Sequence, residues 1–97
     1  MERGEIIKLL KSNLSIIQSR FGVKDILLFG SVARNDAKPG SDVDILVEFA
    51  QQPGFDRFME LRFFLEDLLL AKVDLVTRSA LRPRMRPIIE KEALHVA

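Results

Sequence analysis

Gly30-Ser31-Val32-Ala33-Arg34 and, ten residues after the Gly-Ser pair, Asp42-Val43-Asp44 decide how this chain is read. Ile26 to Phe29, just before the glycine, is a short apolar run that fits a buried strand. Gly30 then allows a tight turn into a short helical piece over Val32 to Asn35, and Lys, Pro and Gly mark a loop from Asp36 to Ser41. Asp42 to Phe49 reads as the next strand. On a strand, residues two apart face the same way, so Asp42 and Asp44 share a face.

The remaining elements extend outward from there. Upstream, Ile6, Leu10, Leu14, Ile17 and Phe21 recur at helical spacing, which predicts one amphipathic helix from about Glu2 to Arg20, closed by Gly22. Downstream, Phe58, Leu61, Leu65 and Leu68 form the stripe of a helix over Phe55 to Leu70, and Lys72 to Thr77 is a third strand. Ser79 is a candidate cap for a last helical region that Pro83 and Pro87 divide, and Leu94 to Ala97 can add an extended segment. The expected class is α/β (α+β), with a small mixed β-sheet flanked by helices. At 97 residues, the expectation is a single domain over 1–97.

Composition narrows the function. Fifteen Lys and Arg against fourteen Asp and Glu leave a net charge of +1, which gives no broad reason to expect direct nucleic-acid binding. No Cys is present, so disulfides and thiolate metal sites are excluded. The longest apolar runs are far too short to cross a membrane, and residues 1–8 lack the apolar core of a signal peptide. The expected location is cytoplasmic. The chain has no Tyr, so chemistry on a tyrosine hydroxyl would have to use another molecule's.

Two carboxylates about 5 Å apart repel by roughly 3 kcal/mol at an effective dielectric of about 20. A cation relieves that repulsion, and Mg²⁺ favours carboxylate and phosphate oxygens. An isolated Asp-x-Asp also fits a solvated strand face. Asp74, in Lys72-Val73-Asp74-Leu75-Val76, is either an edge-strand charge or a third acid for the same cation site, and three convergent acids suit two metal ions. Gly30 and the Ser31 hydroxyl can serve a phosphate, with Arg34 one helical turn away. Alone, Gly-Ser is only a strand-to-helix turn. Gly-Ser, ten residues, then Asp-x-Asp matches a random start with probability on the order of 10⁻⁵, or about one in a thousand for a chain this short.

The stretch Gly-Ser-x-Ala-Arg … Ser-Asp-x-Asp-x-x-Val resembles the signature of the polymerase-beta-like nucleotidyltransferases, and within them the minimal nucleotidyltransferases (MNT). The resemblance extends to Asp74 and to the closing Ile-Ile-Glu-Lys-Glu-Ala-Leu segment. It implies that fold and a Mg²⁺-dependent nucleotidyltransferase. Asp42, Asp44 and Asp74 would be its catalytic and metal-binding acids for two Mg²⁺ ions, and Gly30, Ser31 and Arg34 its nucleotide-binding residues. Many such proteins are antitoxins paired with a HEPN-type toxin. The resemblance therefore implies transfer of AMP from ATP to a tyrosine of that partner; the alternative is an antitoxin that neutralises its partner by occlusion. Glu48 reads as a solvated charge, and the cluster Arg78, Arg82, Arg84 and Arg86 as a solvated face, the alternative being contact with a triphosphate or an acidic partner. His95, a single imidazole, is not a metal site, while Phe55, Phe58, Phe63 and Phe64 are core or interface candidates.

Overall fold

The computed structural model describes residues 2–97. The chain runs α1 (Arg3–Ser12), α2 (Leu14–Phe21), β1 (Val23–Phe29), α3 (Gly30–Ala33), β2 (Val43–Phe49), α4 (Phe55–Leu69), β3 (Val73–Thr77), a 3₁₀ turn (Arg78–Ala80), α5 (Arg86–Glu92) and β4 (Leu94–His95). The four strands form one mixed sheet in the order β3-β2-β1-β4. β1 is antiparallel to β2 and β4, and β2 is parallel to β3. The parallel pair is joined through α4, as a crossover requires.

The single N-terminal helix expected from the spacing is two. Asn13 leaves the helical region (φ −109°, ψ 11°), and its side-chain Nδ2 donates to the Leu9 carbonyl at 2.9 Å. This local bond competes with the helical ladder and interrupts it. The apolar stripe survives the break: Ile6 and Leu10 on α1 and Ile17 and Phe21 on α2 are all buried. Gly22 ends α2 in the left-handed region (φ 71°), the role its position suggested.

The sheet has two unlike faces. Ile26, Leu28, Val43, Ile45, Val47, Val73 and Leu75 form the principal core with residues from α1, α2 and α4. The buried positions of α4 are Leu61, Leu65 and Leu69, while Phe58 and Leu68 pack at the margin. Alternation sends Leu27 and Leu46 to the other face, where they pack under Ile89 of α5. Pro87 lies in the first turn of α5, where a missing N–H costs little. Ser79 falls in the 3₁₀ turn rather than at the start of α5. The extended end is realised: β4 pairs with β1, and Val96 and Ala97 continue the backbone bonding to Ile26.

Candidate active site

β1 ends at Phe29, whose register partner on β2 is Asp44. Asp44 is in turn the register partner of Asp74 on β3. The two acids therefore sit side by side on adjacent parallel strands. They occupy the face carrying Leu46 and Val76, not the face of the principal core. The start of β3 is fixed by Glu66 of α4, which accepts the Val73 N–H at 3.0 Å. A backbone bond from Val73's neighbour on β2, Val43 N to Lys72 O at 2.9 Å, completes the junction.

Asp44 is half-buried and Asp74 exposed. The Asp44 carboxyl is pushed up from 3.8 to about 6, first by burial, then by the negative charge of Asp74 and a hydrogen bond to it, and then by Asp42; Arg34 pulls the other way. Asp42 lies one residue before β2 rather than within it, and is exposed. Strand pairing thus fixes two acids, while the third stands at the strand mouth.

Gly30 closes against the pair. Its φ of +73° is in the region that favours glycine, and a Cβ placed on it would lie 2.9 Å from Asp44 Cγ and closer still to Oδ2. This residue gives the turn its close approach to Asp44. Gly30 is also the first residue of α3, so the first N–H groups of that helix lie beside Asp44 without intrahelical partners. The half-buried Ser31 makes no side-chain hydrogen bond among the described residues. At its far end α3 is held by Arg3, whose Nη1 donates to the Ala33 carbonyl at 2.9 Å.

The Arg34 guanidinium is exposed and doubly engaged. Nε donates to Asp36 Oδ2 at 3.3 Å, and Nη1 donates to both Glu92 oxygens at 3.3 Å. These bonds, Glu92's first, hold the group further toward its charged form. Glu92 was not visible as a site candidate in the sequence. Fifty-eight residues separate it from Arg34, and no local spacing signals such a contact.

Among the described residues, no three acidic or imidazole side chains gather tightly enough to enclose a metal ion by themselves. Mg²⁺ does not require that: it is commonly held by one or two carboxylates together with substrate phosphates. Asp44 and Asp74 suit such a half-site, because burial first and the neighbouring Asp74 second make the Asp44 carboxylate's negative charge costly, and a cation would relieve that cost.

The other sequence candidates lie elsewhere. Arg78 pairs with Glu48 at 3.9 Å. Both line a cleft of about 560 Å³ with Phe55, Phe58 and Arg86, at the ends of β2 and β3 away from the acids. Arg82 and Arg84 are exposed. His95 stands 3.9 Å from Asp25. Phe55 and Phe63 are exposed, while Phe64 stacks at a tilt on Phe21 with ring centroids 5.3 Å apart. No helix among the described residues is long and apolar enough to cross a membrane.

Comparison with known proteins identifies the family. Residues 10–96 match the family described as "Nucleotidyltransferase domain". The protein adenylyltransferase MntA of Thermococcus cleftensis is 41% identical over 92 residues, which cover 95% of this chain and 93% of the relative. A solved minimal nucleotidyltransferase superposes with a TM-score of 0.81 at 33% identity, over 97% of this chain and 95% of the other. The MNT antitoxin solved in complex with a tri-AMPylated HEPN toxin of Shewanella oneidensis is also similar, with a TM-score of 0.62 at 25% identity over 98% of this chain and 68% of the other.

Proposed function

Because this chain belongs to the nucleotidyltransferase domain family, we propose that it is an antitoxin enzyme that transfers AMP from ATP to a tyrosine hydroxyl of a HEPN-type toxin. The observation that carries this reading is the pairing of Asp44 with Asp74 across adjacent strands, with Gly30 packed against Asp44. Its two principal supports from relatives are the adenylyltransferase MntA and the AMPylated toxin found with the MNT antitoxin.

The residues divide the work. Gly30 and Ser31 receive the triphosphate at the open start of α3, and Arg34 meets a phosphate oxygen. Asp42, Asp44 and Asp74 are the residues that would hold two Mg²⁺ ions together with the triphosphate, and the metal would supply neutralisation of the phosphate charge. The acceptor hydroxyl approaches Asp74, the more exposed acid of the strand pair. Asp74 takes its proton as the oxygen attacks the α-phosphorus. A new P–O bond forms to the acceptor, the bond to the bridging oxygen breaks, and pyrophosphate leaves. The protein's contribution is alignment and fixed charge. The acceptor comes in trans, since the chain has no tyrosine.

The test is incubation of the protein with the product of its adjacent gene, labelled ATP and Mg²⁺, followed by intact mass measurement. A shift of one or more AMP units is expected on the partner and not on this chain. Neutralisation by Asp42→Asn/Asp44→Asn separates catalysis from occlusion. If that double variant binds the partner and protects cells fully, transfer is not how the toxin is silenced.

A further inference from the structure

Arg34 sits at the C-terminal end of α3 on a long, flexible side chain, yet it is held from two sides. One holder, Asp36, belongs to the exposed segment leading to β2. The other, Glu92, is the last residue of α5 and is placed far more firmly. Its side chain is 24% exposed against 59% for Asp36. Three residues before it, Ile89 is buried on Leu27 and Leu46. Two residues after it, β4 begins its pairing with β1. Glu92 therefore projects from a segment anchored on both sides and reaches α3 across most of the sequence.

The donors of Arg34 are divided accordingly. Nε–H goes to Asp36 and Nη1 to Glu92. Nη2 has no protein acceptor among the described residues, so one corner of the fork remains for an anion. We propose that Glu92 is a positioning residue, holding the Arg34 guanidinium so that its free Nη2 corner meets a phosphate of the bound nucleotide. This inference rests on the nucleotidyltransferase reading of the site given above. Exposed ion pairs add little to stability, so the work of this one is orientation. A guanidinium fixed beforehand loses less freedom when the phosphate arrives.

The same geometry has an opposite reading, in which Glu92 competes with the phosphate for Arg34. The sign of the change on removing Glu92 decides between them. The probe is the Mg²⁺ complex of α,β-methylene-ATP, with binding to the full chain measured by calorimetry. Glu92→Ala is expected to raise Kd roughly 3–10-fold while leaving the thermal midpoint nearly unmoved. Arg34→Ala should raise Kd at least as much, and adding Glu92→Ala to it should change nothing further. Glu92→Gln should lie between wild type and Glu92→Ala, and carries the test if the alanine variant does not fold.

An unchanged or lower Kd in the Glu92 variants overturns the proposal, as does a full additional loss in the Arg34→Ala background. In those cases wild-type binding of the probe leaves the nucleotidyltransferase reading standing. Failure of the wild-type protein to bind the probe overturns both.

Discussion

The carboxyl group of Asp44 fills the space that a side chain on Gly30 would need. The contact joins two stretches that look independent in the sequence, the turn after β1 and the Asp-x-Asp at the start of β2. The glycine is therefore tied to the acid directly, by volume, as well as by the turn it makes. Its positive φ adds a second and separate demand for glycine.

Gly30→Ala should accordingly be costly in two ways. The left-handed backbone alone adds about 1–2 kcal/mol for a residue with a Cβ, and the methyl must also displace Asp44. The expected outcome is a thermal midpoint lowered by several degrees and loss of AMP transfer in the variant that still folds. Retention of wild-type transfer by Gly30→Ala would show that the Asp44 position is not what the reaction depends on.

Asp44→Asn should stabilise the protein in the absence of metal near neutral pH. The folded chain holds the Asp44 proton up to about pH 6, whereas an unfolded chain releases it near 3.9. Between those values the folded state binds more protons, so stability falls as pH rises through the window and stays lower above it. After discounting for solvent at this half-exposed site, the cost is about 1 kcal/mol, or roughly 4–8 °C for a domain of this size. The variant should melt higher than wild type at pH 7 and alike at pH 4. Equal melting at both pH values would remove the electrostatic cost assigned to the pair.

Magnesium affinity should follow the same proton. With Asp44 titrating at about 6, a cation must displace the proton at pH 5 but not at pH 7. Titration in the presence of ATP should show affinity weaker by about tenfold at the lower pH. Asp44→Asn should bind weakly at both. A wild-type affinity independent of pH would place the cation away from this carboxylate.

Asp74→Asn should leave folding intact, because the side chain is exposed and outside both apolar clusters. Transfer should fall by about 10²–10⁴-fold, the usual contribution of a positioned proton acceptor, with nucleotide binding less affected. A turnover assay at saturating ATP, read beside a dissociation constant, separates the two quantities. A fall of less than fivefold would remove Asp74 from the reaction.

Leu70→Gly should stabilise the fold. Leu70 caps α4 with φ +52°, a conformation that costs a residue with a Cβ about 1 kcal/mol, and its side chain is 85% exposed. Little packing is lost in exchange. A higher midpoint of chemical denaturation with an unchanged slope is the expected result, and a lower one would mean that the exposed leucine makes a contact worth more than the strain.

The sequence was most legible where a pattern is local. The helical spacing of Ile6, Leu10, Ile17 and Phe21, the left-handed Gly22, and the apolar runs of β1 to β3 all reappear in the fold. The convergence of Asp44 and Asp74 followed from supposing that their strands are neighbours, and they are. Asn13 was not legible as a break, because an asparagine within a helical stripe declares itself only through the bond its side chain makes. Asp42 was assigned to a strand that begins one residue later, the ordinary uncertainty of an element's end. Glu92 lies in the closing segment that carries part of the resemblance, but its contact with Arg34 is not legible there, since that partner is set by how α5 crosses the sheet and not by any spacing along the chain.

The carboxyl end of the chain is woven into the sheet: Ile26 exchanges backbone bonds with Val96 and Ala97. At the other end, Glu2 is exposed at the entrance to α1. An affinity handle or fluorescent fusion therefore belongs before α1. Placed after Ala97, it would pull on the border strand, on α5 before it, and through Glu92 on the arginine beside the acids.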